Sequence, residues 1–361
     1  MSDASSFYLR QQRLRSALRR RQQGALLVTH AANIRYLCGF TGSAGVLVVT
    51  RDASAFFTDG RYIEQSKQEV NGADVIIDKS PLSAAANWLH AHKIKTLGFE
   101  AQHLSVTQYH ELEKQAGKRL RLRAEGPLVE ELRLIKDGDE LVKLRDAAAL
   151  GAKLYKNIKP TLRAGVKESH IAAELEYAAR RSGAEAMSFE TIVAGGARSA
   201  LPHGRASEQV IPARGFVILD FGVILSGYCS DLTRTVHVGA ADPQAKKRYA
   251  AVLKAQMVAI EAVRPGVSVS AVDAAARHVL EREQLAQFFT HSTGHGLGLE
   301  IHEPPRIAKG QRQRLRPGMV ITIEPGVYVA GEGGVRIEDM VLVTQSGCEV
   351  LTAAPKEFSV V

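Results

Sequence analysis

The 361-residue chain has only three cysteines, Cys38, Cys229 and Cys348, and they lie far apart. No zinc or redox spacing can be made from them, so they read as reduced and structural. No apolar run approaches the ~18 residues of a membrane span, and no membrane partner is expected. Residues 1–23 lack the apolar core of a secretion signal. That stretch is Arg-rich and nearly free of acids, but Gly24-Ala25-Leu26-Leu27-Val28 starts a strand at once. This leaves no room for a removable leader, so a cytoplasmic location is expected. A low-complexity linker is missing too.

What is present is the composition of an ordinary globular chain. Apolar residues make up 45% and charged residues 24%, which excludes disordered and fibrous classes. The length admits two domains and a large core. The net charge of +9 comes largely from residues 10–21 and 118–123. Solvated helix faces account for it, and no nucleic-acid partner is expected.

Residues 7–23 carry Leu9, Leu14, Ala17 and Leu18 at helical spacing and read as a surface helix. A strand at 25–29 follows. Residues 34–50, with Gly39, Gly42 and Gly45 before Val46-Leu47-Val48-Val49, read as a loop feeding a buried strand. Short strands at 56–58, 75–77 and 96–99 alternate with helices at 84–92 and 107–115. That alternation predicts an α/β domain over residues 1–130. Residues 137–162 form an amphipathic helix that opens a second domain, 131–361. Within it, helices are predicted at 165–182, 243–263 and 269–283, the last capped by Ser268.

The second domain is organised around residues 321–339, ITIEPGVYVAGEGGVRIED. Glu324 and Glu338 each end an alternating, strand-like run, and Pro325, Gly326, Gly331, Gly333 and Gly334 lie between them. Two strands joined this way bring two carboxylates to one sheet end, which is unfavourable unless a cation lies between. The device occurs twice. Asp220-Phe221-Gly222-Val223 matches Glu324-Pro325-Gly326-Val327, and each leads to a second acid, Asp231 or Glu338. A weak internal repeat of two facing halves follows. His203, His291, His295 and His302 cluster in the same part of the chain. Four carboxylates balance two divalent cations, so a dinuclear site is the economical reading. Oxygen-rich ligation with one imidazole does not rank Mn, Co, Fe and Zn; manganese is taken first.

The segments Leu201-Pro202-His203-Gly204, Asp220-Phe221-Gly222, Asp231-Leu232-Thr233-Arg234-Thr235, His291-Ser292-Thr293-Gly294-His295-Gly296, Ile323-Glu324-Pro325-Gly326 and Gly334-Val335-Arg336-Ile337-Glu338-Asp339 closely resemble the Xaa-Pro peptidases. These are prolidase and aminopeptidase P, of the M24 pita-bread metallopeptidases. The first domain is similar to theirs through Asn33-Ile34-Arg35-Tyr36-Leu37-Cys38-Gly39-Phe40-Thr41-Gly42-Ser43 and Phe57-Thr58-Asp59-Gly60-Arg61-Tyr62. The resemblance implies a creatinase-like α/β domain followed by an α+β pita-bread domain with an internal pseudo-twofold repeat.

It also implies that Asp220, Asp231, His295, Glu324 and Glu338 hold two metals. All five positions match. His203 is then expected at the scissile carbonyl, and His291 and His302 as substrate-binding and proton-relaying groups. Arg336 is expected to orient a ligand carboxylate, with Glu338 on its own strand face as the partner. Glu324 is taken as the base that moves the water proton toward the leaving amine. Glu303 and Asp339 are treated as neighbours only. The implied reaction is hydrolysis of Xaa-Pro dipeptides or Xaa-Pro-Yaa peptides, by a homodimer whose first domain closes a cleft. The alternatives are a non-enzymatic pita-bread binding protein, creatinase-like C–N hydrolysis and methionine-aminopeptidase-like specificity. The first two predict missing metal ligands, and the third predicts no first domain of this kind.

Overall fold

The computed structural model describes residues 3–361, with side chains from residue 5 onward. The chain divides into two units, Met1–Arg133 and Leu134–Val361. The first contains α1 (Asp3–Arg20), β1 (Ala25–Val28), α2 (Ala31–Cys38), β2 (Val46–Thr50), β3 (Ser54–Thr58), α3 (Ile63–Glu69), β4 (Asp74–Ile77), α4 (Pro81–Ala91), β5 (Thr96–Glu100), α5 (Val106–Ala116), β6 (Arg121–Glu125) and α6 (Leu128–Arg133). Its six strands form one sheet in the order β4-β3-β2-β1-β5-β6. The central strands are buried on both faces, as expected of near-continuous apolar runs between helices.

Three local expectations change here. Residues 34–38, predicted as the start of a loop, belong to helix α2, which is closed by Gly39 in the left-handed conformation (φ 89°) that a Cβ would disfavour. The glycines had obscured a short helix that ends at the first of them. Helix α1 is less superficial than its polar sequence suggests, because Arg10, Gln11 and Arg15 are buried. Gln11 donates to the carbonyl of Leu37 at 3.0 Å and Arg15 Nη2 to Ser54 Oγ at 3.0 Å, while Arg15 Nε is buried without a hydrogen-bond partner. The basic run at 118–123 lies on a turn and the edge strand β6 rather than on a helix face. Charged side chains on an edge strand discourage pairing with another chain.

The second unit opens with α7 (Gly138–Ile158), started by a capping box in which Asp137 and Glu140 satisfy each other's backbone amides. Then come α8 (Glu168–Arg181), β7 (Ala186–Met187), β8 (Ile192–Gly195), β9 (Gly215–Phe221), β10 (Val223–Leu225), β11 (Tyr228–Cys229) and β12 (Leu232–Val238). The second half comprises α9 (Pro243–Glu261), α10 (Val269–Arg282), β13 (Gly294–Gly296), β14 (Glu303–Ile307), β15 (Val320–Ile323), β16 (Gly326–Val329), β17 (Gly333–Arg336), β18 (Asp339–Val343) and β19 (Cys348–Val350). Ser268 caps α10 by accepting from the Ala271 amide.

Each half has its own core. Leu154, Ile158, Ile171 and Leu175 of α7 and α8 pack with Val217, Leu219 and Val236 of the β12-β9-β8 sheet. Val252, Ala255, Val272 and Leu280 of α9 and α10 pack with Ile321, Ile323 and Val341 of the β14-β13-β15-β18-β19 sheet. The two halves also repeat a connection. An antiparallel pair, β9 with β12 or β15 with β18, is interrupted by a small hairpin, β10-β11 or β16-β17. The acids sit at the four junctions between pair and hairpin. This corrects the simpler expectation of two strands meeting at one turn: residues 333–336 pair with β16, and the strand returning beside β15 is β18.

The first junction is held by a close approach. A Cβ on Gly222 would lie 1.8 Å from the Ser230 carbonyl oxygen, and that backbone leads directly into Asp231. Gly222→Ala must therefore push the hairpin away from β9. The expected cost is about 3 kcal/mol, at the upper end for overpacking. A denaturation midpoint equal to wild type would contradict this approach.

Candidate functional site

Asp220, Asp231, Glu324 and Glu338 line one cavity of about 910 Å³ in the second unit, together with four histidines. Asp220 comes from the end of β9, Asp231 from the residue before β12, Glu324 from the residue after β15 and Glu338 from the residue before β18. His295 stands on β13, where its Nε2 lies 3.6 Å from Asp231 Oδ2 and 3.5 Å from Glu324 Oε1. Ligand atoms of Asp231, His295 and Glu338 all fall within 4.8 Å of one another. His295 Nδ1 lies 3.0 Å from the Gly296 carbonyl, which holds the proton on Nδ1 and leaves the Nε2 lone pair toward the acids.

Burial makes this arrangement costly for the protein alone. It raises the pKa of Asp231 and Glu338 well above the carboxylate range, with neighbouring acids adding to the effect. Glu324 is pushed up to about 7, chiefly by burial. Burial also lowers His295 and His302. Among the described residues, Asp220 Oδ1, Asp231 Oδ1 and Glu338 Oε1 are buried with no hydrogen-bond partner. Three orphaned carboxylate oxygens facing one imidazole nitrogen fit divalent cations as their missing partners.

Three other oxygens of the four acids are held by the protein. Glu338 Oε2 accepts from Thr233 Oγ1 at 2.6 Å, and Glu324 Oε1 accepts from Thr322 Oγ1 at 3.3 Å. Arg336 is fully engaged, but its acid is Asp220 (2.5 Å), where Glu338 was expected. The reason is geometric: Glu338 lies beyond the end of β17, so strand alternation no longer relates it to Arg336. Arg336 also donates to Tyr328 Oη at 2.6 Å and to the Pro202 carbonyl at 2.9 Å, next to His203.

His203, His291 and His302 all line the cavity, as expected. His302 meets the His295 ring edge-on at 4.5 Å. His291 has both nitrogens engaged, Nδ1 with the Ser292 carbonyl and Nε2 with Tyr328 Oη, each at 2.8 Å. Any proton it passes must therefore involve Tyr328, which the sequence reading did not single out. Burial, followed by the charge of Arg336, lowers its pKa to about 4, so it is neutral near pH 7. Glu303 lines the cavity as well, with a buried ion pair to Lys136 at 3.0 Å. Asp339 faces away and accepts from Arg234, Gln256 and Lys356.

Residues 142–345 match Metallopeptidase family M24, and residues 10–135 match the Creatinase/Prolidase N-terminal domain. The chain belongs to metallopeptidase family M24. This M24 chain is 35% identical over 336 residues to an Xaa-Pro dipeptidase of Pyrococcus horikoshii, covering 92% of this chain and 94% of that one. Its fold superposes on the Xaa-Pro dipeptidase from Bacillus anthracis with a TM-score of 0.95 and 39% identity, over 98% and 100% of the two chains. An X-Pro aminopeptidase from Thermotoga maritima gives 0.89 and 35%, over 95% and 99%. The two-domain creatinase-like and pita-bread architecture is thus that of the M24 chain.

The acids of this cavity set a pH dependence. Without metal, Asp231, Glu324 and Glu338 bind protons more tightly folded than unfolded, so apo stability falls as pH rises from about 4 toward 7. A divalent cation competes with those protons, so its stabilising effect grows across the same window. The melting-temperature increase on adding Mn²⁺ to metal-free protein is expected to be larger at pH 8 than at pH 5. An equal increase at both would count against the raised carboxylates.

Proposed function

We propose that the protein hydrolyses the bond between an N-terminal residue and a following proline, with Xaa-Pro dipeptides as its main substrates. Two divalent metals would be held by Asp220, Asp231, His295, Glu324 and Glu338. The observation carrying this reading is the set of orphaned buried carboxylate oxygens beside His295 Nε2 on a peptide-sized cavity. The names of the relatives support the proline specificity. Bound metals would supply an activated water and a Lewis acid for the scissile carbonyl.

The protein's own groups do the rest. Glu324, at the end of β15 beside His295 Nε2, takes the water proton and returns it to the leaving nitrogen. Arg336 and Thr233 fix the orientation of Asp220 and Glu338, so these acids need not reorganise during the reaction. His203 and His302 donate to the substrate carbonyl region, and His291 binds through its link to Tyr328.

Preference for dipeptides rests on Arg306. It stands on β14 in register with His295 and lines the cavity. Of the other lining arginines, Arg205 pairs with Glu190 at 2.8 Å and Arg336 with Asp220, whereas Arg306 has no ion pair among the described residues. A free guanidinium near the reacting groups suits the terminal carboxylate of Xaa-Pro. Phe189, Ile192 and Ile301 give the same cavity apolar wall for a side chain or a proline ring. As finer parts of the proposal, manganese is the first metal to test and the assembly is a homodimer, both on the family resemblance. The location is cytoplasmic, in keeping with three free cysteines.

Chelation is expected to abolish Xaa-Pro hydrolysis, and Mn²⁺ or Co²⁺ to restore it. No metal-restored cleavage of Xaa-Pro or Xaa-Pro-Yaa peptides sinks the reading. Glu324→Ala and Glu338→Ala are expected to lose activity together with metal content, and Arg336→Ala to lose turnover with most metal retained. Steady-state kinetics of Arg306→Ala should show kcat/KM for Xaa-Pro falling about 10–100-fold, the loss expected for a charge-assisted contact. Xaa-Pro-amide should be nearly unaffected. Equal losses on both substrates would remove Arg306 from carboxylate recognition.

A further inference from the structure

Residues 289–293 carry His291 between helix α10 and strand β13 without belonging to a strand or helix of their own. A segment outside any ladder must find other partners for its backbone groups. Backbone bonds hold its two ends, and one side chain of α10 holds two of its carbonyls while a second holds the Thr293 hydroxyl. Arg277 donates to the His291 carbonyl at 2.6 Å and to the Phe289 carbonyl at 3.2 Å. Its guanidinium also lies 4.3 Å from the centre of the Phe289 ring, which meets the His291 ring edge-on at 5.0 Å.

Asp273, one helical turn earlier, is buried and divides its two oxygens. One accepts from Arg277 Nε at 2.8 Å and the other from Thr293 Oγ1 at 2.7 Å. Thr293 is fully buried, and its carbonyl accepts the amide of Glu324 at 2.8 Å. The spacing of four places both side chains on the same helix face. One rigid helix thus grips both ends of the segment that bears His291, and through Thr293 it touches the backbone of Glu324.

We propose that Asp273 and Arg277 are positioning residues for the reaction: they set where His291 and Glu324 stand relative to each other. Neither touches the cavity, so neither is a catalytic residue. Arg277 fixes the height of the His291 imidazole through its carbonyl grip. Asp273 orients Arg277 and locks Thr293. The inference rests on the Xaa-Pro hydrolase reading, in which His291 binds substrate. Groups held by a rigid element tolerate little displacement, since a shift of about 1 Å can cost ~100-fold in rate.

The test is a double-mutant cycle on the metal-loaded full chain, read as kcat/KM for an Xaa-Pro dipeptide. Arg277→Met in the wild-type background should lower kcat/KM about 10–100-fold with metal content close to wild type, and lower the melting temperature because the buried Asp273 loses its partner. In the His291→Ala background the same change should matter less than about 3-fold, because the group it positions is gone. A purely structural role predicts equal losses in both backgrounds, and that result overturns the proposal, as does wild-type activity in Arg277→Met.

Should Arg277→Met fail to fold, Arg277→Lys carries the same cycle. It keeps the ion pair with Asp273 but cannot span two carbonyls, so it should show a smaller, still non-additive loss. A wild-type chain that cleaves no Xaa-Pro peptide overturns the functional reading and this one with it. A cleaving wild type with additive mutants overturns this one alone.

Discussion

Three buried carboxylates, Asp220, Asp231 and Glu338, gathered with the half-buried Glu324 around one cavity, are the constraint on which the second unit depends. Each oxygen removed from water needs a partner, and like charges brought together need an opposite one. Two of the four have lost the ordinary carboxylate acidity in the metal-free protein, and Glu324 is pushed up to about 7. A fold with only its own stability at stake would replace such a cluster by apolar residues. Its retention makes sense as a preformed receptor whose folding cost is offset when cations bind.

The duplicated connection is how the backbone makes that receptor. An acid at the exit of one strand, a short hairpin and an acid at the entry of the returning strand place two carboxylates side by side without placing both on one strand. Repeating the unit supplies the other two, and β13 delivers His295 next to β15. The close approaches at Gly222 and Gly294 belong to the same logic. A side chain at either would separate the strands that carry the four acids and His295. Behind them, Arg234 ties Asp339 and the carbonyls of Ala354 and Pro355 together, so β12 and β18 meet over satisfied polar groups.

Much of this was legible in the chain because spacing carries it. The acid–x–Gly–Val match at 220 and 324 exposes the repeat, and strand alternation marks Asp220 and Glu324 as strand-end acids. What alternation cannot carry is contact across the repeat. Arg336 and Glu338 share a parity in sequence, yet β17 ends between them and the guanidinium turns to Asp220, 116 residues away. Tyr328 and Thr233 escaped for the same reason: each acts through a partner in another segment, His291 in one case and Glu338 in the other. In the first unit, α2 was hidden because the glycines that follow it dominate local propensity. The helix is stabilised by burying Ile34, Tyr36 and Leu37 rather than by its own sequence.

The position of Arg336 also changes the charge argument for two metals. Counting carboxylates alone gives a site of −4, which two divalent ions neutralise. With Arg336 buried against Asp220, the protein supplies −3. One divalent ion then leaves −1 and two leave +1, so bare neutrality no longer selects between them. The difference lies in what the residual charge can hold. A site of −1 repels an anionic nucleophile, whereas a site of +1 becomes neutral when one is present. Arg336 is therefore more than a brace for Asp220. By offsetting one carboxylate, it would make a site holding two metals neutral only when an anionic nucleophile is in place, which would tie its charge to turnover rather than to metal retention.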